Sequence, residues 1–136
     1  GGKVGLVLRD RARGIDPRPL ETSVERISIG HEETFERDIS DRALLYAELR
    51  RMSERVAARL AVRGDAARTV TTKVRYTDFA IRSRSVTLPA GIDAAEEIAT
   101  HACALLDRAL GDRPGALRLV GVSVSSLEPF RQLSLD

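Results

Sequence analysis

Residues 68–88 read RTVTTKVRYTDFAIRSRSVTL. Val70, Val74 and Tyr76, with Thr72 between them, alternate with Thr69, Thr71, Lys73, Arg75 and Thr77. That period of two marks a half-buried strand. A tight corner at Asp78 leads into a second strand over about 79–88. The stretch holds five basic residues against one acid, so one side of the first strand is wholly polar or cationic. Antiparallel sheets often leave one polar face in water, and a surface for a polyanion is the competing reading.

The rest of the chain supplies partners for this hairpin. In RISIGHEETF (26–35), Ile27, Ile29 and Phe35 share one side and Ser28, Gly30 and Thr34 the other, which predicts a strand. Leu45, Leu49, Met52, Val56 and Leu60 recur at steps of three and four over 41–63, the stripe of an amphipathic helix. Ser40 or Asp41 is placed to cap its start and Gly64 to end it. After the hairpin, Pro89 and Gly91 are expected to end the strand. Asp93, with Glu96 three residues on, has capping-box spacing for a second helix. Its stripe is Ile98, Ala102, Leu105, Leu106 and Ala109, and Gly111 and Pro114 close it. Over 116–127, Val120, Val122 and Val124 oppose Gly121, Ser123 and Ser125. The order is βαββαβ, an α+β class. Two helices with one stripe each cover one face of a four-stranded sheet and leave the other open.

Collected on the open face are Ser28, Gly30 and Thr34, then Thr69, Thr71, Lys73 and Arg75, then Gly121, Ser123 and Ser125. Small side chains leave backbone N–H groups approachable, and hydroxyls, Lys and Arg donate to phosphate oxygens, contacts that position a duplex without reading its sequence. In the third strand Arg82 and Arg84 share one side and Ser83 and Ser85 the other. Periodicity does not choose between them; the expectation taken is that the arginines face the ligand.

The chain of 136 residues fits one domain. With 43% hydrophobic and 31% charged residues, it has enough apolar chain for a core without staples. Net charge is only +2, but the charge is segregated: residues 68–88 carry +4, whereas 93–112 hold five acids and one Arg. A basic surface and an acidic one hide in that total. The only cysteine, Cys103, excludes a disulfide framework and points to a reducing compartment, hence a cytoplasmic protein. No apolar run approaches ~18 residues, and no signal peptide is evident. The chain begins GGKVGL without an initiator Met and reads as a fragment of a longer protein.

Catalytic chemistry finds little here. His31 and His101 lack a ligand pattern, and Glu32, Glu33 and Glu36 read as solvated acids. There is no glycine-rich phosphate loop, CxxC or HExxH. Beyond Pro129, QLSLD (132–136) sets Leu133 and Leu135 about Ser134 in a tail, a docking peptide or a frayed end.

GHEETFERDI (30–39), TVTTKVRYTDFAIRSRSVTLP (69–89) and LRLVGVSVSSL (117–127) together resemble the C-terminal region, called the little finger, of Y-family translesion DNA polymerases, in particular the bacterial polymerase IV group. GLVLRDRARGIDPRPL (5–20) is similar to the end of that family's thumb. The resemblance implies a thumb end over 1–18, a linker over 19–26, a little finger over 27–128 and a tail over 129–136. It implies a monomeric, non-catalytic module, bound to template–primer duplex, of a DNA-directed DNA polymerase. The module itself needs no cofactor, and the parent's Mg2+ belongs to a palm domain. The implied DNA contacts are Arg26, Ser28, Gly30, Lys73, Arg75, Arg82, Arg84 and Ser123. QLSLD resembles a sliding-clamp-binding peptide through Gln132, Leu133 and Leu135, with Asp136 where an aromatic or large apolar residue is usual. Leu88 and Pro89, after strand three, are a second implied clamp contact. The alternatives are an RNA-binding fold, which stacks bases on sheet aromatics, and a small-molecule regulatory domain of ferredoxin-like topology.

Overall fold

The computed structural model describes residues 27–129. The expected thumb end, the linker with Arg26, and the tail residues Gln132, Leu133 and Leu135 lie outside the described residues. The elements are β1 (Ile29–Ile39), α1 (Arg42–Arg63), β2 (Asp65–Tyr76), β3 (Ile81–Ile92), α2 (Ala95–Asp112) and β4 (Leu117–Pro129). The order is the βαββαβ read from the sequence.

The sheet is antiparallel throughout, with strand order β1-β4-β2-β3. β1 and β2 both pair with β4 and so run parallel to each other. The α1 crossover carries the chain one way across the sheet. The α2 crossover, from β3 to β4, carries it back between two strands that are parallel to each other and run opposite to β1 and β2. The shared handedness of such crossovers puts both helices on one face. Every residue of the expected α1 stripe is buried, at 1% exposure or less, and Ile98, Ala102, Leu105, Leu106 and Ala109 of α2 are at 2% or less. They close on Val70, Val74, Tyr76, Val120, Val122 and Val124 of the sheet. Thr72, the polar member of that row, is fully buried and donates its hydroxyl to the Ala102 carbonyl at 2.9 Å.

Local signals set most of the boundaries. Asp41 caps α1, its carboxylate accepting from the N–H groups of Ala43 and Leu44. Gly64 ends α1 in the left-handed region at φ 72°. The expected start of α2 is corrected. Its N-cap is Ala94, with no side-chain cap, so Asp93 stands one residue too early to close a capping box. Gly111 lies inside the last turn rather than beyond it.

The expected end of β3 is corrected as well. Thr87 pairs with Thr69 and Ile92 with Ala67, so Leu88–Gly91 bulge out opposite Arg68, whose Nε donates to the Leu88 carbonyl at 3.0 Å. Proline lacks an N–H and is tolerated at an edge bulge, so Pro89 interrupts the strand without ending it. β1 also runs on past Phe35. A bulge opposite Arg118 carries it to Ile39, and the Arg118 guanidinium donates to the carbonyls of Phe35 and Glu36.

The hairpin corner is a three-residue connection. Phe79 donates its N–H to the Tyr76 carbonyl and takes φ 72°, and Tyr76 donates to the Ala80 carbonyl. This is a turn followed by a left-handed bulge residue. It fixes the register between β2 and β3.

Candidate nucleic-acid interface

The face away from the helices is an array of cross-strand rows. Gly30, Ser123, Thr71 and Ser85 form one; Glu32, Gly121, Lys73 and Ser83 the next; Thr34, Leu119, Arg75 and Ile81 the third. Ser125, Thr69 and Thr87 extend it at one end. Strand alternation thus brings Gly30, Lys73, Arg75 and Ser123 to one surface. Ser28 stands apart. It is exposed ahead of β1 and lines a small recess with Arg59, Val62 and Arg63 near the end of α1.

Arg82 and Arg84 are not in these rows, contrary to expectation. The hairpin register sets Arg82 opposite Val74 and Arg84 opposite Thr72, and directly paired residues share a face, so both arginines lie on the helix side. Arg84 reaches Asp112 of α2 at 2.7 Å. The sequence held a signal for this. Val86 and Leu88 have the same parity as the arginines, and Val86 packs on the core. The open side of β3 is therefore Ile81, Ser83, Ser85 and Thr87.

β3 is an edge strand, and its free edge adds donors. Because Tyr76 and Ala80 are hydrogen-bonded opposite each other, Arg82 and Arg84 turn their backbone groups toward β2. The N–H and C=O groups of Ile81, Ser83 and Ser85 then point off the sheet. The guanidinium groups of Arg82 and Arg84 fold back onto the carbonyls of Ile81 and Ser83 along this edge, at 2.9 and 2.7 Å. Both cations thus lie along the β3 edge and off the open face, Arg84 being held on the helix side by two bonds to Asp112.

The hydroxyls are ordered. Thr71 and Ser85 pair at 2.7 Å, and Thr69 meets Thr87 at 3.1 Å. A hydroxyl has one donor and two acceptor sites, so a Thr71–Ser85 pair leaves one O–H free for a ligand oxygen. Arg75 covers ground that sequence reasoning missed. Leu119, between Thr34 and Arg75 on this outer face, is only 1% exposed although it lies outside the helix-side core. The Arg75 Nε is buried and has no partner among the described residues. Lys73 lies on the far side of Gly121 from Glu32, and its ammonium reaches that carboxylate at 3.3 Å. Glu32, read from sequence as a solvated acid, is the one acid in the rows.

The clasp that holds the hairpin tip is separate. The Arg113 guanidinium lies 4.3 Å from the Tyr76 ring centroid and 2.7 Å from Asp78. Arg113, with the Ala80 N–H, holds the Asp78 carboxyl below the usual carboxylate range. On the helix layer, a groove of about 680 Å³ runs between α1 and α2, lined by Tyr46, Arg50, Glu54, Thr100, Cys103 and Asp107. It is roomier than the depression of about 360 Å³ at Gly30 and Gly121 on the open face, yet its groups are poorly suited to chemistry. Burial pushes the Cys103 thiol up, away from the reactive thiolate, and the Asp107 carboxylate is occupied by the Tyr46 hydroxyl and Arg42, both at 2.6 Å. No helix among the described residues is long and apolar enough to cross a membrane.

Comparison with known proteins finds relatives over nearly the whole chain. A DNA polymerase IV of Desulfatibacillum aliphaticivorans is 42% identical over 127 residues, covering 93% of this chain and 32% of that protein. A DNA polymerase IV of Dehalococcoides mccartyi is 38% identical over 136 residues, covering 99% of this chain and 35% of that protein. The chain spans about a third of the length of these curated relatives. The solved little finger domain of PolIV, in complex with a beta-clamp processivity factor, superposes with a TM-score of 0.61 at 23% identity, over 80% of this chain and 98% of that one. The insertion ternary complex of Dbh DNA polymerase gives 0.68 at 17% identity, over 76% and 29%. These two establish a shared fold. The three-motif resemblance is borne out, and residues 26–136 match the impB/mucB/samB family C-terminal domain, so the chain belongs to that family.

Proposed function

We propose that this chain is the little finger of a Y-family polymerase, a non-catalytic module that holds template–primer duplex through its phosphates. The observation that carries the reading is the adjacency of Lys73 and Arg75 on a sheet face that neither described helix covers, bordered by hydroxyls and glycines. Gly30, Ser123, Thr71, Ser83 and Ser85 complete the contact, with Arg82 and Arg84 at its edge and Ser28 ahead of β1; Arg26 is a further proposed contact. The two central strands, β4 and β2, carry no aromatic on this face, so the RNA-recognition alternative, which stacks bases on sheet aromatics, gains no support. The parent is a DNA-directed DNA polymerase whose Mg2+ belongs to another domain.

Docking on the sliding clamp is the second part of the proposal. It rests on Gln132, Leu133 and Leu135, with Leu88 and Pro89 of the β3 bulge as a second contact. Pro89 is exposed there and Leu88 is half-buried. Two measurements on the intact protein test the proposal. Duplexes of unrelated sequence should bind with equal affinity, and log K should fall with log[salt] at a slope of about −1.8 or steeper, as two neutralised phosphates require. A flat salt response refutes the phosphate grip. Deleting 132–136 should weaken clamp binding at least tenfold and leave DNA affinity unchanged; unaltered clamp binding refutes the docking role.

A further inference from the structure

We propose that Glu32 is a built-in competitor for the phosphate that Lys73 would hold, keeping the grip on DNA weaker than the cations of this face allow. The inference rests on the DNA-binding reading above. Glu32 and Lys73 stand on β1 and β2 with β4 between them, and they meet only because the intervening residue is Gly121. A Cβ at Gly121 would lie 2.8 Å from the Glu32 Cβ, so no other residue fits between them without displacing the pair. Gly30 in the next row is similarly tight, its Cβ position 2.9 Å from that of Ser123. The glycines leave a shallow depression of about 360 Å³, lined by Gly30, Glu32, Lys73, Gly121 and Ser123.

A phosphate entering that depression meets the ammonium and the carboxylate together. Lys73 must leave Glu32 to take it, or the carboxylate must swing out. The side chains are 40% and 52% exposed, so the pair opens readily. An exposed pair of this kind is worth up to about a factor of five in an equilibrium, and repulsion between carboxylate and phosphate adds to it. Among the described residues Arg75 has no such rival in its row, which holds Thr34, Leu119 and Ile81. On this face one cation thus stands clear of the carboxylate and the other is released on demand, which suits a duplex that must slide past its holder.

The test is equilibrium binding of a fluorescent primer–template duplex to the intact protein over a range of KCl. The variants are Glu32→Gln, Lys73→Gln, the double variant, Arg75→Gln and Glu97→Gln. Glu97, exposed on α2 and away from the sheet's open face, gives the same change in net charge. Glu32→Gln should bind about threefold to tenfold tighter, with a salt slope steeper by up to ~0.9. The gain should fall to twofold or less when Lys73 is already Gln, and Glu97→Gln should stay within twofold of wild type. If Lys73→Gln and Arg75→Gln weaken binding but Glu32→Gln does not strengthen it by more than twofold, the competitor role is wrong and the phosphate grip stands. An equal gain with Lys73 replaced, or from Glu97→Gln, also overturns it. If neither cation variant weakens binding, the DNA reading fails and this inference with it.

Discussion

Replacing Lys73 and Arg75 together by Gln should weaken duplex binding roughly 30- to 100-fold at low salt. A hydrogen bond to a charged group contributes about 1.5 kcal/mol at the lower end of its range, close to tenfold each. The salt slope should become shallower by ~1.8, as two phosphate contacts are lost. Gln is the better choice than Ala at Arg75. The stem of that side chain lies beside Leu119, which is almost wholly shielded on the outer face, and truncation would uncover it. Both residues are partly exposed, so thermal stability should be nearly unchanged, within the ~0.5 kcal/mol usual for surface changes. Titration of a labelled primer–template by fluorescence anisotropy measures both quantities. Loss of binding without a change in salt slope would mean that the two cations act through folding rather than through phosphates.

Tyr76→Ala should be the most damaging of these substitutions to stability, by about 4 kcal/mol. The ring is 2% exposed in the core, beneath the Arg113 guanidinium. Its hydroxyl donates to the Arg113 carbonyl at 2.7 Å. The tyrosine therefore ties the end of β2 to the segment after α2, while Arg113 holds Asp78 at the corner. Removing the ring leaves a cavity and frees both sides of the clasp. For a domain of about this size, ~4 kcal/mol lowers the melting temperature by roughly 15–30 °C. Tyr76→Phe should cost only ~1 kcal/mol, the net value of the lost hydrogen bond. Urea unfolding followed by circular dichroism gives both values. A cost below ~1.5 kcal/mol for Tyr76→Ala would show that the hairpin corner does not depend on the clasp.

The fold was legible where apolar and polar residues contrast. The α1 stripe, the α2 stripe and the alternation of Val70, Thr72, Val74 and Tyr76 all pack as their spacing predicts. It was less legible at the breaks, because Pro89 and Gly91 signal a bulge and a strand end equally well. The site divided in the same way. Lys73 and Arg75 were placed by apolar neighbours on both sides in sequence. Arg82, Ser83, Arg84 and Ser85 offer no such contrast, so the face of β3 came from the hairpin register. Cross-strand facts were hidden from a linear reading. Nothing in sequence spacing shows that Glu32 meets Lys73 over Gly121, a contact between residues 41 apart. The paired hydroxyls of Thr71 and Ser85 likewise depend on register.

The central claim is that DNA lies on the sheet face opposite the two helices. Backbone amide NMR shifts, followed as a short duplex is added to the 15N-labelled protein, test it most directly. The account predicts perturbations concentrated at Gly30, Thr71, Lys73, Arg75, Ser83, Ser85, Gly121 and Ser123, with Arg50, Thr100 and Cys103 on the helix layer silent. Perturbations centred on the α1–α2 groove, with the β2 and β4 rows unmoved, would contradict it.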